Sequence, residues 1–239
     1  MHPETPPAHS GSPSRAAAIA LVASTVLSIV AVAAHPTISG GGGASQILRD
    51  MVEARAADEH VHGVVIAVMV GYFFGFAGFA GHLGLHRAPV RVGLVAYGIG
   101  GLAMIGAALL DGFITPAFSA QFVGAAPDKA DQAVAILTFG WIAIQYLSKL
   151  GFIGMSIGML GCSIPLLGEP GLARLTGVIG LVSGGLPVAF LVLAKADLGP
   201  PLLLMILAVQ SIWNLAAAAL LVRGTGFRDT GPAALSQAA

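Results

Sequence analysis

The sequence predicts an all-α protein, a polytopic transmembrane helix bundle of six spans with both termini in the cytoplasm. Three observations carry this. The 239 residues are 56% hydrophobic and only 9% charged, whereas an ordinary soluble domain is about 25% charged. The mean hydropathy is +0.88. The apolar residues also fall in runs of the length that a helix needs to cross a hydrocarbon core, about 20 residues for roughly 30 Å. Inside lipid a helix pairs its own backbone groups. The sequence lacks the alternating segments of about ten residues that mark a membrane barrel.

The same figures exclude other classes. Eleven basic and eleven acidic side chains cannot cover the surface of a soluble enzyme of this length. The formal net charge of zero leaves no basic face for nucleic acid. A single cysteine excludes an internal disulfide framework and a four-cysteine zinc site.

The predicted spans are 16–34, 61–81, 92–110, 133–162, 174–194 and 201–222, making one domain from 16 to 222. Residues 1–15 and 223–239 are predicted as disordered tails. Span 1 has a second reading as a cleaved signal peptide, because Ala31-Val32-Ala33 fits a small-residue cleavage site. Its length, and a leader carrying only Arg15 against Glu4, favour a retained helix. Span 4 belongs to an apolar run broken only by Lys149. Leu147-Ser148-Lys149-Leu150 is not turn chemistry, so one long tilted helix is predicted, ending near Cys162 before Pro165.

Orientation is read from basic residues in the loops. With the N-terminus inside, Arg15, Arg87, Arg91, Arg174, Arg223 and Arg228 are cytoplasmic. Arg49, Arg55, Lys129 and Lys195 are then outside. Four of the inside arginines adjoin helix ends.

Two outer segments are unusually apolar. After a flexible stretch through Gly40–Gly43, Ser45 is read as the cap of a helix. Ile47, Leu48, Met51 and Val52 share one face of it. This helix either lies on the outer membrane surface and runs into span 2, or covers a site as a lid. Residues 111–132 carry Phe113, Ile114, Phe118 and Phe122 among Pro116, Gly124 and Pro127. They read as a broken segment that dips into the interface or packs over the bundle mouth. Asp111 at its start reads as a water-exposed loop charge.

The polar residues inside the spans are the main candidates for function. Gln145 and Lys149 lie four apart in span 4, and Gln210 and Asn214 lie four apart in span 6, so each pair shares a helix face. Counted from the span starts, the two pairs fall within roughly one turn in depth at about 1.5 Å per residue. Trp141, Trp213, Tyr72 and Tyr97 lie near. A lysine at this depth costs roughly 2.5–3.5 kcal/mol on insertion scales and marks a functional site by default. No acidic residue within a span offers it a counter-ion. It can snorkel to the interface, lose its charge where water is excluded, or await an anionic ligand that the amides of Gln145, Gln210 and Asn214 complete. Against this stands simple amide bonding between spans 4 and 6.

Histidines form the second candidate. His82 and His86, four apart at the inner end of span 2, can hold a metal or one axial position of haem, with Cys162 on the same side. They also read as a polar helix end. At the outer end, His60 and His62 point to different helix faces. Asp58, Glu59 and Asp111 are the acidic neighbours there. There is no His-Glu-x-x-His, Gly-x-Ser-x-Gly or Walker-type loop, so no catalytic residue and no cofactor is assigned. Gly71 with Gly75, Gly154 with Gly158 and Gly180 with Gly184 let helices approach closely, and would equally serve a homo-oligomer face.

Arg15 before span 1, Phe139-Gly140 early in span 4, the run to Ile164-Pro165, and Trp213 ahead of Arg223 form a layout over most of the chain. It resembles a family of uncharacterised six-span bacterial integral membrane proteins, a domain-of-unknown-function family. That likeness implies the span count and no catalytic residue. The expectation is a bacterial cytoplasmic (inner) membrane protein with the lipid bilayer as its surroundings. It would bind or transport a small polar or anionic solute through Lys149, Gln145, Gln210 and Asn214. The alternatives are a non-catalytic accessory or assembly protein, and a metal- or haem-binding redox protein built on His82 and His86.

Overall fold

The structure, a computed structural model, describes residues 12–36, 42–193, 198 and 200–224. Among these it contains helices and no strand. Helix α1 is Ser12–Ala33, α2 is Ala44–Leu83 and α3 is Ala88–Leu109. A π-helical turn, Leu110–Ile114, leads from α3 into α4, Thr115–Ala120. Helix α5 is Pro127–Ser163, continued by a 3-10 turn, Ile164–Gly168. Helix α6 is Leu172–Val188, with a π-helical end, Ala189–Leu193, and α7 is Pro200–Arg223. Six helices are long and apolar enough to cross a membrane. The single long helix expected across Lys149 is present as α5, which continues unbroken to Ser163.

Several boundaries differ from the sequence reading. Ser12–Arg15, expected in the tail, already belong to α1, which has Pro13 in its first turn, where the ring lacks only a donor that the helix does not use. The remainder of the expected tails, 1–11 and 225–239, lies outside the described residues. Helix α2 has Gly43 rather than Ser45 at its cap position, without a side-chain hydrogen bond. Its amphipathic start does not lie down as a separate surface helix. All 40 residues form one helix, about 60 Å long at 1.5 Å per residue and so about twice the hydrocarbon core.

The first half of α2 bears Arg49, Asp50, Glu53, Arg55, Asp58 and Glu59. Beyond His62 the helix carries no charged residue. The charged half therefore stands outside the apolar layer. Its buried Leu48 and Met51 meet Ala130, Ala133 and Leu137 of α5, with Phe118 and Phe122 packed against them. This explains the apolar character of 111–132. Much of that segment is helix, and its aromatic rings pack on the extended starts of α2 and α5.

The six long helices touch in chain order and close a ring. Helix α1 meets α2, α2 meets α3, α3 meets α5, α5 meets α6, α6 meets α7, and α7 returns to α1. The closest approach is between α3 and α5, where glycine faces glycine. A Cβ on Gly100 would come 2.6 Å from the Gly151 carbonyl oxygen, and one on Gly154 would come 2.8 Å from that of Ala96. Gly71 and Gly75 of α2 take α1 in the same manner, against Ser24 and Leu21. Gly184 of α6 lies on the Ser156 carbonyl of α5.

The two ends of the ring's axis differ. At the end where α2 finishes and α3 begins, the axis is filled. Phe76 stacks on Tyr97 with centroids 3.9 Å apart. Phe79 meets Trp213 edge-on at 5.5 Å. The Trp213 indole Nε1 donates to Ser163 Oγ at 3.2 Å. We call this the plug end. At the other end, where α1 finishes and α2 begins, the axis is open.

Candidate functional site

The open end holds a cavity of about 260 Å³ between α1, α2, α3, α5 and α7. Its walls are largely apolar, with Val65, Val68 and Met69 of α2, Met104 of α3, Phe152 of α5 and Leu207 of α7. The polar side chains at it are Ser28, His35, His62, Asp111, Gln145 and Ser148. Deeper along α2, Tyr72 closes the α1 side. Its hydroxyl lies 3.1 Å from Ser28 Oγ and donates to Thr25 Oγ1 at 3.3 Å. A second cavity of about 320 Å³ lies alongside, between Met51, Asp58, Asp111, Thr115 and Trp141. Asp111 lines both.

His62 is the pivot of this end and is buried, 6% exposed. It lies one turn after Asp58 on α2. Its Nδ1 is 3.0 Å from the Asp58 carbonyl oxygen and 3.1 Å from Asp58 Oδ1. The hydrogen bond goes to the carbonyl, which leaves Oδ1 buried with no hydrogen bond of its own among the described residues. On the far side Nε2 is 3.3 Å from Asp111 Oδ2. Asp58 is 5% exposed, so one imidazole sits between two carboxylates, one buried and one partly open.

The backbone explains how Asp111 reaches it. The residue is the second of the π-helical turn, which carries one more residue per turn than α-helix and so rotates the residues after it. Gly112, the next residue, packs directly on the His62 side chain, where any Cβ would collide with the ring. Extra residue and missing side chain together bring the Asp111 carboxylate onto the imidazole. The sequence reading of Asp111 as a water-exposed loop charge is therefore corrected. In sequence the segment looks broken, and only the π-turn carries the helix past Asp111 and aims it inward.

His35 joins from the end of α1. Its ring is 5.1 Å from that of His62, edge to face, and its Nδ1 lies 2.8 Å from the Pro36 carbonyl. Ligand atoms of His35, Asp58 and His62 fall within 4.8 Å of one another. Sequence reasoning passed over His35. It lies across a glycine-rich loop from α2, at no spacing that signals a partner. His60, as expected, points elsewhere. It is exposed and bonded to the Ala56 carbonyl of its own helix at 2.5 Å.

The four intramembrane candidates are not gathered at one place. Gln145 lines the cavity and donates through Nε2 to the Leu198 carbonyl at 3.3 Å, while its Oε1 is buried without a partner among the described residues. Lys149 is not in the cavity wall. Its Nζ lies 5.7 Å from the Tyr146 ring centroid, within cation–π range. Gln210 donates to Ser156 Oγ at 3.2 Å. Ser156 is eleven residues beyond Gln145 (156 − 145), or about 16 Å along the helix. The expected match in depth is thus corrected. Helix α5 begins at Pro127 and passes α7 with an offset that counting from span starts cannot supply. Asn214 is buried, 1% exposed, in the α7 stretch that carries Trp213.

His82 and His86 are also separated. Helix α2 ends at Leu83 and Gly84 takes φ 97°, so His86 lies in the turn beyond and not one helical turn along the face of His82. Cys162 is fully buried among Phe79, Leu83 and Met159. Among the described residues, the one group of three or more ligating side chains close enough to share an ion lies at the opposite end, at His62.

Comparison of the chain with family models, with curated proteins and with solved structures finds no match.

Proposed function

We propose that this multi-pass membrane protein binds a small polar solute in the cavity on the axis of its helix ring. The observation that carries the reading is the cavity's constitution. Apolar walls with a few convergent polar groups are the usual make-up of a small-molecule site, and here Gln145 Oε1 is buried in that wall without a partner among the described residues. Asp58 and Asp111 make the polar end acidic, which favours a neutral or cationic solute over an anionic one. The anionic alternative draws on Lys149, which would have to turn into the cavity from the Tyr146 side. Transport rather than binding alone requires Phe76, Tyr97 and Trp213 to part, since they close the axis.

The protein's place is proposed as a bacterial cytoplasmic membrane, with both termini inside. Arg15, Arg87, Arg91, Arg174 and Arg223 all belong to the plug end, and basic residues collect on the cytoplasmic side. The cavity then opens outward.

Cysteine accessibility tests the reading. The buried Cys162 is the chain's one cysteine, so Cys162→Ser gives a silent background. In it, Ser148→Cys should react with a cationic methanethiosulfonate added from outside, and more slowly with an anionic one. Asp111→Asn should narrow that difference. A Ser148→Cys that reacts no faster than the lipid-facing Leu27→Cys sinks the proposal. Preference for the anionic reagent reverses the sign of the solute.

A further inference from the structure

The geometry points to a divalent transition-metal site at the open end, formed by His35, His62 and Asp58, with Asp111 beside it. It goes beyond solute binding and does not require it, because it rests on how the donor atoms converge and not on the cavity.

Each imidazole is already set up as a ligand. Nδ1 of His35 faces the Pro36 carbonyl at 2.8 Å, and Nδ1 of His62 faces the Asp58 carbonyl at 3.0 Å. A carbonyl only accepts, so Nδ1 donates in each ring, and Nε2 is the nitrogen that an ion would take, displacing any proton on it. This is the usual outer support of metal-bound histidine, which fixes tautomer and ring plane. One ring from the segment after α1 and one from α2 hold such a bond while their centroids stand 5.1 Å apart.

One carboxylate completes the set and a second stands beside it. His62 Nε2 and Asp111 Oδ2 are 3.3 Å apart. A charge-assisted N–H···O bond is usually shorter, about 2.7–2.9 Å. Asp111 thus adjoins the nitrogen that the ion would take, outside the group of three. Asp58 adds the independent observation. Its Oδ1 is buried and lacks a hydrogen bond among the described residues, 3.1 Å from His62 Nδ1, and its carboxylate belongs to the same group as His35 and His62. A buried carboxylate oxygen without a donor is costly, and a cation answers it. Two imidazole nitrogens with a carboxylate oxygen suit Zn²⁺ and its first-row neighbours, with the fourth position open. They do not suit Mg²⁺ or Ca²⁺, which take oxygen alone, or Cu(I), which takes sulfur.

The test uses the full chain in detergent, stripped with chelator and titrated with Zn²⁺ or Co²⁺ alone. The expected result is one tight equivalent of Zn²⁺, with Co²⁺ giving the intense visible bands of tetrahedral coordination. His62→Ala and Asp58→Asn should each weaken binding more than about 100-fold, beyond the 10–100-fold typical of losing an outer-shell partner. Because His62 is buried, His35→Ala is the safeguard. It is exposed, leaves the fold intact by melting and size-exclusion profile, and should also abolish the cobalt bands. His60→Ala should change nothing. Binding that survives His35→Ala and His62→Ala, or that disappears on replacing His2 and His9, overturns the site. The Ser148→Cys labelling is run without metal, so failure of one proposal leaves the other readable.

Discussion

The two ends of the helix ring are built from the same α2, α3, α5 and α7, yet pack in opposite ways. At the plug end every large ring has a neighbour. Phe76, Tyr97 and Trp213 are 0–1% exposed, and polar groups bond between helices, as where Trp213 bonds Ser163 and Gln210 bonds Ser156, although the Tyr97 hydroxyl and Asn214 Oδ1 are buried without a hydrogen bond among the described residues. At the open end the helices instead part around a cavity, where Asp58 and Gln145 likewise have buried oxygens with no hydrogen bond among the described residues. In lipid, helix association depends on close packing and hydrogen bonds rather than on burial of oil. Empty space on the axis is therefore expensive, and the cavity marks the open end as functional.

Substitutions can break this comparison, the strongest first. Trp213→Ala removes the plug's largest ring and its bond to Ser163. It should cost about 3–5 kcal/mol, read as a loss of thermal stability in detergent, and should open the axis to ion leak in liposomes. A small effect would mean that the plug does not hold the ring together.

Next come the glycines of the α3–α5 contact. Gly154→Leu drives a side chain into the Gly100 backbone and should cost about 3 kcal/mol, the upper part of the overpacking range. Gly71→Leu and Gly75→Leu should cost less, since they push on the side chains of Ser24 and Leu21, and α1 can shift. If both α2 variants melt like the parent protein, α1 is not docked as described.

A smaller effect is expected from Ser156→Ala, which takes the partner from Gln210. Leaving a buried amide unpaired costs about 1–3 kcal/mol, measured against Ser148→Ala at the open end, which should cost nothing. The smallest concerns added bulk where there is room. Ala108→Leu points into the cavity and should be neutral or slightly stabilising, while reducing the labelling of Ser148→Cys. If Ala108→Leu destabilises as much as Gly154→Leu, the two ends do not differ in packing.

The amino-acid sequence alone determined the class and most of the architecture. The bilayer admits one backbone solution for an apolar run of this length, so composition, run length and the absence of turn chemistry around Lys149 sufficed for six helices and a continuous α5. Spacing also identified Gly71, Gly75, Gly154 and Gly158 as contact positions, because a missing side chain has the same meaning in any pairing. The partners of polar residues were another matter. Gln145 and Gln210 share a spacing pattern, yet one lines the cavity and the other bonds Ser156, because the offset of α5 against α7 is a tertiary quantity. His82 and His86 have the better spacing, but a helix that ends at Leu83 separates them. His35, Asp58, His62 and Asp111 have no common spacing, and they converge because a loop returns α1 to α2, a π-turn rotates Asp111, and Gly112 lets it close on the imidazole. Periodicity records what one helix presents. Which groups meet across helices depends on crossing, offset and local over-winding, and these are decided only when the helices pack.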